Sequence, residues 1–92
     1  MTRTVRVRIE GRVQGVFFRD WMRSQARSLG LTGWVRNRSD GTVEATISGD
    51  PASIDDMVAR CRRGPSAARV RDLAILSESD ESFADFEIMP TA

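Results

Sequence analysis

The chain changes its hydrophobic period across the stretch Gly11-Arg12-Val13-Gln14-Gly15-Val16-Phe17-Phe18-Arg19. The residues before it alternate between apolar and charged, as in a half-buried strand, and those after it recur at helical spacing. Gly11 and Gly15 are therefore expected in a strand-to-helix turn, where glycine allows positive φ and lets a ligand approach the amides. A helix start offers unpaired N–H groups and a partial positive charge. We predict an anion-binding turn with the Arg19 guanidinium at its rim.

The rest of the chain also consists of segments with either a strand-like or a helix-like hydrophobic period. Strands are predicted over residues 5–10, 33–38 and 43–48, helices over 18–29 and 51–63, a bulged strand over 70–76, a polar turn over 77–82 and a last strand over 83–89. Asp50 and Pro51 are expected as N-cap and first residue of the second helix. This order is that of the α+β ferredoxin-like two-layer sandwich, βαββαβ, with two helices on one face of an antiparallel sheet. The 92 residues are expected to form one domain.

Asn37 is predicted on the helix-covered face of the second strand, beside Val35. An inward polar side chain must be hydrogen-bonded, and an amide could hold a water in a fixed orientation. A cap of the following turn at Asp40-Gly41 is the alternative for Asn37. A phosphoryl group on the turn amides and Arg19, with a water on Asn37, would make a minimal hydrolytic site.

The composition excludes several kinds of site. The sequence contains no histidine and one cysteine, so neither a thiolate or imidazole metal cluster nor a Ser-His-Asp arrangement can form. Cys61 lies on the apolar stripe of the second helix and is expected in the core. The glycine turn has neither the Gly-Lys-Ser/Thr of a P-loop nor the third glycine of a dinucleotide site. We therefore expect no metal and no cofactor.

Charge and hydropathy bear on partners and location. The formal net charge is +1, which does not indicate a nucleic-acid partner. No apolar leader or membrane-spanning run is present, so a cytoplasmic monomer without membrane contact is expected. The side chains of Arg12, Arg36 and Arg38 are expected to be solvated. The two tryptophans, Trp21 and Trp34, are expected to be partly buried.

The stretch from Gly11 to Arg19 resembles the signature of the acylphosphatase family in full. The block Leu29-Gly30-Leu31-Thr32-Gly33-Trp34-Val35-Arg36-Asn37-Arg38-Ser39-Asp40-Gly41-Thr42-Val43-Glu44 resembles it as well. The C-terminal residues 86–92 depart from the family, whose members often carry a basic or tyrosyl residue there. The resemblance implies hydrolysis of a small-molecule acyl phosphate to a carboxylate and inorganic phosphate without a metal.

The resemblance also implies roles for individual residues. Arg19 would bind the phosphate and Asn37 would orient the attacking water. The phosphate-binding amides would be those of Gln14, Gly15, Val16, Phe17, Phe18 and Arg19. The substrate's own phosphate would take the proton of the water, because no side chain is placed as a general base.

Two other functions remain open from the sequence. A non-catalytic module that binds an acyl or carbamoyl phosphate is the first, and the free-standing length and absence of zinc-knuckle cysteines argue against it. An RNA-binding ferredoxin-like domain is the second, but the first and third strands carry no aromatic residue for base stacking. With few side chains at the site, selectivity for the acyl group is expected to be weak.

Overall fold

The structure, a computed structural model, describes residues 1–92 as one mixed sheet and two helices. The elements in chain order are β1 (Arg3–Arg12), α1 (Phe18–Ser28), β2 (Thr32–Asn37), β3 (Val43–Gly49), α2 (Pro51–Arg63), β4 (Arg69–Ser79) and β5 (Phe86–Ile88). The strand order is β4-β1-β3-β2-β5. This arrangement is the ferredoxin-like α+β sandwich, which confirms the predicted fold class.

Both helices cover one face of the sheet and bury it. The apolar side chains of β1 and β3 meet those of the helices in a single core, formed in part by Val5, Val7, Ile9, Ala45, Ile47, Met22, Ala26, Ile54 and Met57. Cys61 is fully buried in this core, and burial raises the pKa of its thiol to about 12. The predicted core role of Cys61 is thus confirmed. Neither helix is long and apolar enough to cross a membrane.

Local signals set the helix ends. Asp50 is the N-cap of α2 and accepts a hydrogen bond from the Ala52 N–H at 3.1 Å, with Pro51 as the first helical residue, as predicted. Gly30 follows the last turn of α1 with φ +71°, the left-handed conformation that glycine adopts most readily after a helix.

The predicted all-antiparallel sheet is wrong at one edge, where β5 lies parallel to β2. The chain leaves β4 on the opposite edge and returns past the strand ends, where the Glu81 carbonyl accepts from the Thr4 hydroxyl at 2.7 Å. Because Ser79 still pairs with Thr4, β4 extends into the polar turn predicted at 77–82. The last strand is correspondingly shorter than the predicted 83–89.

Gly11 lies within β1 and not in the turn where the sequence pattern placed it. The pairing of β1 with β4 shifts register between Glu10 and Gly11, and Gly11 has φ +127°. A Cβ added at Gly11 would stand 2.1 Å from the Arg69 carbonyl oxygen. Gly11 therefore serves the close approach of two backbones at a β-bulge.

The other face of the sheet carries an ion cluster, defined here as Glu44 with Arg6, Arg36 and Arg38. Glu44 is 2% exposed and accepts hydrogen bonds from all three guanidinium groups. The expectation that Arg36 and Arg38 are merely solvated is therefore wrong. The Arg36 guanidinium also lies 4.8 Å from the ring centroid of Trp34, which is partly buried as predicted. Arg12, in contrast, is exposed.

Candidate active site

The turn between β1 and α1 contains two residues in the left-handed region. Gly15 has φ +73°, and Phe17, directly before the helix, has φ +61° and ψ +28°. Phe17 is the N-cap of α1, and no side chain caps the helix there. The helix therefore begins without the usual Ser, Thr, Asp or Asn that would occupy its first N–H groups.

The amides of this turn have no acceptor within the protein. The first helical hydrogen bond runs from the Trp21 N–H to the Phe17 carbonyl at 3.0 Å. None of the N–H groups of residues 14–20 donates a hydrogen bond to a backbone or side-chain acceptor. These groups, together with the positive end of the helix dipole, suit an oxyanion.

Arg19 lies in the first turn of α1 and is itself unpaired. No carboxylate lies within ion-pair distance of its guanidinium, and it makes no hydrogen bond to the protein; the ion pairs of the chain involve other arginines. A cation here opposes the helix dipole. Its donors are therefore available to a ligand.

Asn37 is the last residue of β2 and its side chain is equally unpaired. The Asn37 Oδ1 atom is buried without a hydrogen-bond partner, which is uncommon for a buried acceptor. The turn at Asp40-Gly41 is instead held by Asp40, which accepts from the backbone N–H and hydroxyl of Thr42. Asn37 therefore does not cap that turn, and its Oδ1 needs a partner from outside the chain.

The side chain of Gln14 ties the turn to the strand that carries Asn37. Its Nε2 atom donates to the carbonyl oxygens of Arg38, at 2.8 Å, and Thr42, at 2.9 Å. These two carbonyls form the mouth of the β2–β3 hairpin. The sequence predicts a role only for the backbone amide of Gln14, because side-chain contacts across 24 and 28 positions leave no local pattern.

Arg19 and Asn37 line one cavity of about 270 Å³. The other residues that line it are Val13, Gly15, Phe17, Phe18 and Asp20. Of the predicted phosphate-binding residues, Gln14 and Val16 do not line the cavity: the Gln14 side chain bonds to the hairpin and Val16 is buried in the core. These two can contribute only their backbone amides.

The cavity has little ionisable chemistry besides Arg19. Asp20, which is paired with Arg23 at 3.2 Å, is its only carboxylate. No group of three or more His, Cys, Asp or Glu side chains is placed to hold a metal ion. The arrangement can bind an anion with fixed N–H donors and place a water beside it, without a side chain positioned for nucleophilic attack.

Both the sequence and the fold match known proteins. The acylphosphatase family model matches residues 5–88. An acylphosphatase of Rhizobium etli is 51% identical over 94% of this chain and 85% of its own length. The solved structure of an acylphosphatase from Coxiella burnetii has a TM-score of 0.91 at 37% identity, covering 96% of this chain and 93% of that one. The acylphosphatase from Bacillus subtilis has a TM-score of 0.87 at 33% identity, covering 97% and 99%.

Proposed function

Because this chain belongs to the acylphosphatase family and hydrolyses acyl phosphates, we propose that its turn amides and Arg19 hold the phosphoryl group while Asn37 positions the attacking water. The observation that carries this assignment is the buried, unpartnered Oδ1 of Asn37, a residue that lines the same cavity as Arg19. The reaction breaks the bond between phosphorus and the carboxyl oxygen.

The unpaired N–H groups of residues 14–20 support the phosphate-binding role. A phosphoryl group spreads its negative charge over three oxygens, and each can accept from more than one donor. Fixed amides at a helix start need no reorganisation when charge builds up on these oxygens, so they stabilise the transition state efficiently. Arg19 adds a full positive charge and a planar fork of donors.

The Asn37 amide supports the water-positioning role. Its Oδ1 can accept one O–H of a water, which directs a lone pair of that water toward phosphorus. The attacking oxygen then forms a bond to phosphorus while the carboxylate leaves with the electron pair of the broken bond. One proton of the water moves to a phosphoryl oxygen of the substrate, so no side-chain base is required. The products are a carboxylate and inorganic phosphate.

Two variants separate these roles. Arg19→Ala should lose activity and also competitive inhibition by inorganic phosphate, because both depend on phosphate binding. Asn37→Ala should lose about 10²–10³ in kcat while KM and inhibition by phosphate change little, because the water is not needed for binding. The measurement is phosphate release from benzoyl phosphate in the presence of EDTA.

Arg12→Ala is the matched control for Arg19, since Arg12 belongs to the same stretch but is exposed and does not line the cavity. It should keep near-normal turnover. A kcat of Asn37→Ala within a few-fold of the wild type would rule out the water-positioning role. Equal rates on a phosphate monoester and on an acyl phosphate would contradict the need for an activated substrate.

We also propose that the enzyme acts as a cytoplasmic monomer on small-molecule substrates and has no nucleic-acid partner. Its single cysteine is buried and unpaired, so the fold does not depend on an oxidising compartment. Size-exclusion chromatography with light scattering tests the monomer, and a molar mass twice that of the chain would overturn it.

A further inference from the structure

We propose that the Phe17 ring is the binding surface for the acyl group, so that neutral, apolar acyl phosphates, aromatic ones above all, are the preferred substrates. This inference rests on the proposed placement of the phosphoryl group. The sequence predicts weak selectivity for the acyl group because Arg19 and Asn37 are the only side chains that it assigns to the site.

The conformation of Phe17 is the first observation. A bulky residue rarely adopts a left-handed backbone, and glycine or asparagine would fit φ +61° with less strain. The Phe17 side chain is 81% exposed, whereas its neighbour Phe18 is 2% exposed and packed in the core. The Phe17 ring thus contributes little to packing despite its strained backbone. Strain of this kind is found most often at ligand-binding sites.

The position of Phe17 in the cavity is the second observation. Val13 and Phe18, the other apolar residues that line the cavity, are almost fully buried. Phe17 is therefore the one large apolar side chain of the cavity that a substrate can still cover. With the phosphoryl group on the amides and Arg19, the acyl group extends toward solvent, and Phe17 is the exposed ring that lines the cavity.

The charge of the cavity supports a neutral acyl group. Asp20 lines the same cavity, and its carboxylate is 62% exposed beside Arg23. An acyl group with a second carboxylate would approach a like charge there. A neutral ring or alkyl chain meets no such repulsion and can lie against Phe17.

Substrate comparison in Phe17 variants tests the proposal. The variants Phe17→Gly and Phe17→Asn remove the ring and keep a residue that tolerates positive φ. We expect the ratio of kcat/KM for benzoyl phosphate over acetyl phosphate to fall about threefold to tenfold, as for the loss of one aromatic contact. The kcat/KM for acetyl phosphate should fall less than that for benzoyl phosphate, because the acetyl group covers less of the Phe17 ring. Leu76→Ala, which removes an exposed apolar side chain of β4 outside the cavity, should leave the ratio unchanged.

Succinyl phosphate tests the effect of the Asp20 charge on substrate preference. Asp20→Asn should raise kcat/KM for succinyl phosphate relative to acetyl phosphate, since only succinyl phosphate carries the second carboxylate. An unchanged relative rate would remove this support.

The outcomes distinguish this inference from the proposed function. An unchanged benzoyl-to-acetyl ratio in both Phe17→Gly and Phe17→Asn, with both substrates still hydrolysed, would refute the role of Phe17 and leave the phosphate site intact. If Phe17→Gly loses the preference for benzoyl phosphate over acetyl phosphate and Phe17→Trp keeps it, the aromatic ring is responsible for that preference. Normal turnover in Arg19→Ala would instead overturn the phosphate placement on which both rest.

Discussion

Replacing Glu44 by glutamine should destabilise the fold, because this change removes the negative charge at the centre of the ion cluster. Glu44 lies on β3 in the middle of the sheet, 2% exposed, and accepts hydrogen bonds from Arg6, Arg36 and Arg38. Glutamine has nearly the same shape, so no cavity forms. The effect therefore reports the charge itself.

The magnitude follows from the exposure of the partners. A hydrogen bond to a charged group contributes about 1.5–3 kcal/mol, but keeping the carboxylate buried costs several kcal/mol in return. The arginine side chains are 28–44% exposed and can be rehydrated when the charge is lost. We expect a loss of about 2 kcal/mol in the free energy of unfolding, less than for a fully buried pair. That loss corresponds to a fall in Tm of about 8–16 °C for a domain of this size.

The loss should depend on pH in one direction. Burial raises the pKa of Glu44, but the hydrogen bonds and charges of Arg6 and Arg36 together lower it below its ordinary value of 4.5. A carboxyl with a lowered folded-state pKa contributes its stability above the unfolded-state pKa and loses it as pH falls through the folded-state value. The difference between wild type and Glu44→Gln should be complete at pH 7 and shrink progressively below about pH 4.5.

Urea unfolding at pH 7, 5 and 3 measures this difference. Glu78→Gln is the control, because Glu78 is 57% exposed and its ion pair with Arg3 is screened by solvent. It should change stability little at any of these values. If Glu44→Gln matched Glu78→Gln at pH 7, or if its deficit stayed constant down to pH 3, the charge of the cluster would not stabilise the sheet.

Two further predictions concern Gln14, which ties the turn to the β2–β3 hairpin, and Gly11, at the bulge between β1 and β4. Gln14→Ala should lower kcat/KM at least about tenfold, because the turn and the Asn37 strand lose their link and small misplacements reduce rates strongly. Gln25→Ala is the control and should not lower kcat/KM, since it loses a partly buried hydrogen bond with Arg60 away from the cavity. Equal kcat/KM values for Gln14→Ala and Gln25→Ala would show that the Gln14 hydrogen bonds do not contribute to catalysis. Gly11→Ala should reduce the free energy of unfolding by at least about 3 kcal/mol through the clash with the β4 backbone. Gly30→Ala is the control, because Gly30 also has positive φ but an added Cβ would meet no atom within 4 Å; it should reduce the free energy of unfolding by about 1 kcal/mol. Urea unfolding measures both variants, and equal losses in Gly11→Ala and Gly30→Ala would contradict the predicted clash at Gly11.

The parts of the fold that depend only on residues close together in the sequence could be predicted. The alternation before Gly11 and the four-residue spacing of Phe18, Met22 and Ala26 each reflect one buried face, so the pattern is local. The placement of Asn37 on the helix-covered face follows from the same alternation, counted from Val35. Asp50-Pro51 and Gly30 mark helix ends because their backbone preferences act within one turn.

The features that could not be predicted depend on which strands become neighbours. The alternation of apolar and polar residues in β3 places Glu44 on the face of the sheet that the helices do not cover. It does not show that arginines from β1 and β2 surround Glu44 there. The direction of β5 depends on where the chain returns from β4, and the polar residues between the two are compatible with either direction. Gly11 carries the same signal in a turn and in a bulge, since both require positive φ.

The site itself combines three features that stability alone would not favour. The turn amides lack acceptors, the Asn37 Oδ1 lacks a donor, and Phe17 holds a strained backbone with an exposed ring. Backbone strain and unpaired buried polar groups cost free energy in the folded chain, and strained residues are found most often at functional sites. Phe17 and Asn37 line one cavity beside the turn. The ligands proposed above would satisfy the unpaired groups there: an anion for the amides, a water for Asn37 and an apolar group for the ring. The Gln14 side chain holds the turn against the hairpin through its two hydrogen bonds. Under the proposed role of Phe17, local sequence rules fail at this residue because the acyl group of the substrate completes its environment.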